Sequence, residues 1–312
     1  MKIVVTGAGG FVGGWLVPQL LEHGHIVSAL GIGTSEILER LSVPVHEVDI
    51  LDVEAVRDCL SSETPDAVIH LAAISNVPVS WAKPQETIAV NVEGTVNVLS
   101  ALAEVNPNAR FLNIGSSDEY GITAKEGKPL TEDMPCRPQN PYSISKLCAE
   151  QMAIQIGKKN GVRVVSTRSF NHFGPGQAKG FVVSDFASQI AAIERGGKEP
   201  VLHVGDLSAW RDFSYVGDVV AAYVALVESE TAEGVYNVCS GEAIQVEDML
   251  HRLLSMSKAG IRVEQDTERF RPSEVPYFVG NGTKCEKVIS KNHRIDVDEG
   301  LTRTLAWWRE KQ

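Results

Sequence analysis

The chain has 312 residues, 43% of them hydrophobic and 22% charged, with a formal net charge of −11. That length suits one large α/β unit with a second lobe, and the acidic balance argues against nucleic acid and anionic membrane surfaces as partners. No apolar run approaches the roughly 18 residues that span a bilayer, and Cys59, Cys136, Cys148, Cys239 and Cys285 form no CxxC or Cys/His cluster. No metal site is therefore expected, and free thiols fit a reducing, cytoplasmic setting.

MKIVVTGAGG reads as a first strand rather than a targeting segment. KIVV runs straight into TGAGGFVGGWL, where Gly7, Gly10 and Gly13 form G-x-x-G-x-x-G and a helix begins near Phe11. Glycines there let the backbone approach a pyrophosphate, and the helix start supplies amide donors. The spacing differs from the usual G-x-G-x-x-G, but its place between the first strand and first helix of a βαβ pattern makes it a dinucleotide loop. The second strand, HIVSAL, ends in GIGTSE without an acid for the ribose. Thr34 and Ser35 suit a 2′-phosphate and Glu36 a ribose, so NADP and NAD both stay open, the missing acid favouring NADP. VPVHEVDI ends at Asp49 and Ile50, where Asp49 suits an adenine contact or a solvated strand end.

AVIHLA, RFLNIGSS and RVVSTRSF follow as strands, separated by helical stretches such as TVNVLSALAEV. Strict alternation implies right-handed crossovers and a doubly wound parallel sheet covered on both faces, a Rossmann arrangement. After residue 170 the pattern loosens. The expected division is a dinucleotide domain at 1–168 plus about 213–239, with a smaller α/β lobe from 169–212 and 240–312.

Chemistry concentrates in two stretches. IGSSDEYG ends a buried strand with Ser116 and two acids, Asp118 and Glu119. In NPYSISKLCAE, Asn140 caps a helix that Pro141 begins, and Tyr142 and Lys146 sit four apart on one face. A phenol ionises near 10 and is a poor base at neutral pH. A lysine one turn away, with a cationic nicotinamide, would pull it toward useful values. An amphipathic helix with incidental Tyr and Lys is the bland alternative; the upstream glycine loop and serine-bearing strand end weigh against it.

TGAGGFVG, HLAA, GSS and Tyr142-x-x-x-Lys146 together resemble an extended short-chain dehydrogenase/reductase over essentially the whole chain. The resemblance implies that Ser116 orients the reacting oxygen, Tyr142 is the general acid/base and Lys146 binds the nicotinamide ribose. It implies cofactor contacts at Phe11, Val12, Leu71, Ala72 and Ala73, a structural Asn91, and a homodimer built on helices including the Tyr/Lys helix. SFNHFGPGQ, SAWRDFSYVGDVV, VYNVCSG and RFRPSEVP are similar to nucleotide-sugar enzymes acting on GDP-mannose and its 4-keto-6-deoxy product. On that likeness the partner is a GDP-sugar, with Asn171 at the diphosphate, Phe181 and Val182 near the base, and Glu274 at a ribose or guanine. Arg211 and Arg271 are planar, permanently charged forks suited to a diphosphate, with ion pairs to Asp212 and Glu268 as the alternative.

The dehydratases of that group resemble IGSSDEYG but carry Thr-Ser-Glu-Leu-Tyr-Gly, with a glutamate where Asp118 stands. The shorter side chain withdraws the carboxylate by one methylene, and about 1 Å of misplacement costs roughly 100-fold in such chemistry. Reduction of a C4 ketone is therefore expected, with dehydration or 4-epimerisation as the alternative.

Overall fold

The computed structural model describes residues 1–197, 199–266, 275–289 and 294–311. Strands run in chain order as β1 (Lys2–Thr6), β2 (Ile26–Gly31), β3 (Val45–Glu47), β4 (Ala67–His70), β5 (Arg110–Ser116), β6 (Arg163–Ser169), β7 (Asn171–Phe173), β8 (Val201–Val204), β9 (Trp210–Tyr215), β10 (Gly234–Val238), β11 (Ala243–Gln245), β12 (Arg262–Gln265) and β13 (Tyr277–Phe278). The helices are α1 (Phe11–Glu22), α2 (Glu36–Arg40), α3 (Val53–Glu63), α4 (Val77–Ala82), α5 (Pro84–Ile88), α6 (Gly94–Val105), α7 (Pro141–Asn160), α8 (Val182–Glu194), α9 (Val216–Glu228), α10 (Val246–Ser255), α11 (Thr283–Glu286) and α12 (Val297–Lys311).

Seven strands form one parallel sheet in the order β10-β6-β5-β4-β1-β2-β3. This is the doubly wound Rossmann arrangement, and its strand order reverses at β1, where ligands of such sheets bind. Alternate residues of the same strands feed two cores, which explains their continuous apolar runs. Ile3, Val5, Ile69 and Leu112 pack with Leu16, Val17 and Leu20 of α1 and Val220 and Val224 of α9. Val4, Val68 and Phe111 face the other way, onto Val56 and Leu60 of α3 and Val98, Leu99 and Leu102 of α6.

The helical run Pro84–Val105 is long and apolar enough to meet a membrane-span criterion, contrary to the expectation that no run would be. Its apolar side lies inside the protein, where α6 packs against α3 and α7. Segregation of burial explains the difference: a helix covering a sheet carries the same composition as a span.

One residue after β6, the chain leaves the sheet's carboxyl edge as β7, which pairs in parallel with β9. β9 also pairs with β11 and β13, and β8 with β12. This smaller sheet system carries Asn171 and Arg211 above the ends of β5 and β6.

Candidate active site

The glycine loop leaves no room for side chains. Gly7 has φ +66°, and a Cβ there would lie 2.8 Å from the Ala72 amide nitrogen. A Cβ at Gly13 would lie 2.2 Å from the Ala8 carbonyl oxygen, so α1 starts directly on the loop. Gly7 is thereby brought against Leu71 and Ala72, which with Ala73 follow β4, while Gly10, Phe11, Val12 and Gly13 form the start of α1. Asn91 clamps that β4 segment to α7: it accepts from the Ile74 amide at 2.7 Å and donates to Ser145 Oγ at 2.9 Å. Ile50 is buried against Gly94, while Asp49 is exposed and its carboxylate accepts from the Leu51 amide. Ser35 Oγ, beside Gly9, is buried without a hydrogen-bond partner. A tight glycine cradle and an orphaned hydroxyl at the β2 tip fit a dinucleotide with a further anionic oxygen to satisfy.

Ser116 ends β5 and is 8% exposed. Asn140 caps α7 as expected, accepting from the Ser143 amide at 2.8 Å. This start places Tyr142 in the first turn of α7, close enough for Ser116 to influence its phenol. Lys146 is buried one turn on and donates to the Ile114 carbonyl at 2.7 Å. Burial pulls its ammonium down to about 8, opposed by Glu119.

Tyr142 corrects one expectation. Burial first and the Asp118 carboxylate second push its phenol above the ordinary value. The Lys146 ammonium is directed to a β5 carbonyl rather than to the phenol. Asp118 lies in the 3-10 turn Ser117–Tyr120, with a carboxyl that burial raises and Arg211 lowers. Its charge acts on both Tyr142 and Arg211.

Arg211 sits on β9 and donates to the carbonyls of Trp210 and Val275. Its sequence neighbour Asp212 is fully buried and accepts instead from Ser240, Gly241 and Gly280. Asn171 on β7 reaches the Asp212 carbonyl at 3.4 Å. Phe181 and Val182 are exposed at the start of α8. Arg271 and Glu274 lie outside the described residues.

Sequence reading passed over His172. Its ring stacks on Phe11 of the glycine loop at 6.0 Å and an 11° interplanar angle. Its Nδ1 lies 3.1 Å from the Phe170 carbonyl, so Nδ1 carries the proton and Nε2 is an acceptor. Burial lowers its pKa, keeping the imidazole neutral. The Trp15 indole donates to the Pro175 carbonyl at 2.9 Å, fastening the NHFGPG segment to α1. The segment that begins with Asn171 therefore also borders the cofactor loop. A histidine beside a glycine-proline turn offers no pattern that separates this role from packing.

A family model described as GDP-mannose 4,6 dehydratase matches residues 4–304. GDP-6-deoxy-D-mannose reductase of Pseudomonas aeruginosa is 36% identical over 310 residues, covering 99% of this chain and 98% of that protein. The solved structure of RMD from Pseudomonas aeruginosa complexed with NADPH has a TM-score of 0.89 at 33% identity, with 100% of both chains covered. The UDP-glucose 4-epimerase of Thermus thermophilus, complexed with NAD, has a TM-score of 0.87 at 28% identity, again with 100% of both chains covered.

Proposed function

Because this chain belongs to the GDP-mannose 4,6-dehydratase family, we propose that it reduces the C4 ketone of GDP-4-dehydro-6-deoxy-D-mannose with NADPH, giving GDP-D-rhamnose. The observation that carries this reading is the setting of Tyr142. A phenol held protonated by burial and by a neighbouring carboxylate is an acid in waiting. Dehydration and epimerisation both begin by oxidising the sugar, for which Tyr142 would first have to take a proton beside Asp118. Reduction asks only that it give one.

NADPH, when bound, supplies the hydride. Gly7, Gly10, Phe11, Val12 and Gly13 would hold its diphosphate side, with Leu71, Ala72, Ala73, Asp49 and Ile50 toward the adenosine. The Ser35 hydroxyl would meet the 2′-phosphate, and Lys146 the nicotinamide ribose. Ser116 donates a hydrogen bond to the C4 oxygen and Tyr142 delivers the proton to it. An alkoxide is a stronger base than phenolate, so this transfer runs downhill even from a phenol of raised pKa. Arg211 and Asn171, with Arg271, would hold the sugar's diphosphate against the acidic field of the protein. Asp118 acts on Arg211 through its charge and disfavours ionisation of Tyr142. Phe181, Val182 and Glu274 are assigned to the base end.

The same reading divides the chain into a dinucleotide domain (1–168 with about 213–239) and a sugar-nucleotide lobe from the remainder. It takes the enzyme to be a cytoplasmic homodimer. Five free thiols suit that compartment. The dimer reading rests on an exposed apolar stripe along α7, Ile144, Cys148 and Met152, next to Trp81 and Ile88. α6 buries Val98, Leu99 and Leu102 inside its own subunit.

Incubation with the ketone and NADPH should consume equal amounts of both and yield a 6-deoxyhexose. Conversion of GDP-mannose into a 4-keto-6-deoxy sugar without added reductant would instead establish the dehydratase and end the reductase reading.

A further inference from the structure

Behind Ser116 lies a second set of ionisable groups that proton transfer to the ketone does not use. Glu119 and Glu150 are both 0% exposed, and Arg168 is 5% exposed. Arg168 is committed to Glu150: its Nε donates to Oε2 at 3.0 Å and its Nη2 to Oε1 at 2.7 Å. Glu119 Oε2 lies 3.5 Å from the same guanidinium Nε and has no hydrogen-bond partner. Its other oxygen, Oε1, accepts the backbone N–H of Ser116 at 2.8 Å. The side chain folds back over the strand end so closely that a Cβ on Gly115 would sit 2.6 Å from Oε1.

Arg168 is engaged by Glu150 and the Lys146 ammonium donates to the Ile114 carbonyl, so neither cation gives Glu119 Oε2 a hydrogen bond, and a buried carboxylate oxygen without a donor is costly. A proton on Glu119 Oε2 removes that cost, since the orphaned oxygen then donates toward Glu150. We propose that Glu119 is a positioning residue that works as a neutral acid, sharing its proton with Glu150 while its second oxygen locks the Ser116 backbone beneath the reacting ketone. Burial and the Glu150 charge, outweighing Ser116 and Arg168, raise the Glu119 carboxyl in the direction this needs. The charged and titratable groups that face it are Glu150, Lys146 and Tyr142 on α7, Arg168 on β6 and Cys136 in the preceding loop.

This inference rests on Ser116 being the hydroxyl of the reductase centre, so its test has one arm that needs no turnover. The wild-type infrared spectrum at pH 7 should contain a protonated-carboxyl carbonyl band that Glu119→Gln lacks. Glutamine keeps an acceptor for Ser116 and a donor for Glu150, so kcat and KM should stay within about threefold of wild type. Glu119→Ala removes the acceptor, and loosening Ser116 should cut kcat by about tenfold or more while KM moves less than about threefold. The alkaline limb of the rate profile adds a readout that packing alone would not move. If Glu119 is neutral, Glu119→Gln leaves Lys146 and that limb in place; if ionised, its loss moves the limb to lower pH.

The proposal is overturned if the infrared band survives in Glu119→Gln, or if that variant fails to fold, loses as much kcat as Glu119→Ala, or shifts the limb. It is equally overturned if Glu119→Ala turns over like wild type. Wild-type protein that cannot reduce the ketone would sink the reductase reading alone, and the infrared comparison would still decide where the proton is.

Discussion

At the scale of the residue, Asp118 is the most informative position. A carboxylate beside a phenol makes the phenol a weaker acid, and the same charge acts on the Arg211 guanidinium, which a diphosphate would need. Asp118→Asn should therefore separate two effects. With the carboxylate neutralised, Tyr142 loses the second-largest of the causes that raise it, burial remaining the first. Its ionisation should move to lower pH by about one unit. Lys146, pulled down to about 8 by burial, titrates well before the raised phenol, so the rate profile reports the lysine first. Phenolate absorbance resolves them: the transition displaced in Asp118→Asn should be missing from Tyr142→Phe. An unmoved phenolate transition would mean that Asp118 does not act on Tyr142.

At the scale of the element, the active site depends on where strands stop, and one buried histidine ties three such places together. His70 ends β4; its Nδ1 lies 2.8 Å from Thr6 Oγ1 on β1 and its Nε2 3.1 Å from Thr95 Oγ1 on α6. Thr6 Oγ1 in turn accepts the Ala72 amide at 3.2 Å, fixing the turn that faces Gly7. Burial first, and the Lys146 charge second, lower the His70 pKa to about 3. An unfolded histidine takes a proton near 6.5 while the folded one refuses it until about 3, so the unfolded state binds more protons between those values. Stability should fall as pH drops through that window, by at most about 1.4 kcal/mol per unit. Urea midpoints at pH 7 and pH 5 check this: the wild-type midpoint should drop more than that of His70→Asn, and equal drops would refute it. These links also mark what could be read in advance. The glycine loop, the Asn140 cap and the Tyr142/Lys146 spacing are local patterns with local causes, and they stand where their sequence implied. His172 on Phe11, the orphaned Ser35 hydroxyl and the Glu119–Arg168–Glu150 group join residues far apart in the chain. Whether burial or a neighbouring charge governs Tyr142 is likewise decided by packing, which no spacing rule encodes.

At the scale of the whole molecule, the helix that carries the chemistry also presents apolar surface to solvent. Tyr142 and Lys146 point into the subunit from α7, while Ile144, Cys148 and Met152 follow one another at four-residue intervals on the opposite side. Trp81 at the end of α4 is 62% exposed and Ile88 at the end of α5 is 42% exposed, and both helices pack beside α7. Scattered apolar residues are ordinary on a surface, but a stripe flanked by an exposed tryptophan is a surface that gains by being covered. A second subunit placing its own α7 there would form a self-complementary contact about a two-fold axis. Each copy would then brace the helix from which Tyr142 reaches Ser116. Ile144→Glu with Met152→Glu puts like charges face to face across such a contact without touching the inward side of α7. The doubly substituted protein should elute as a monomer at concentrations where wild type elutes at twice that mass. If bracing matters, kcat should fall with dissociation and return in wild type but not in the variant as protein concentration rises. A wild-type protein that is monomeric throughout would remove the argument, leaving the stripe as surface without a partner.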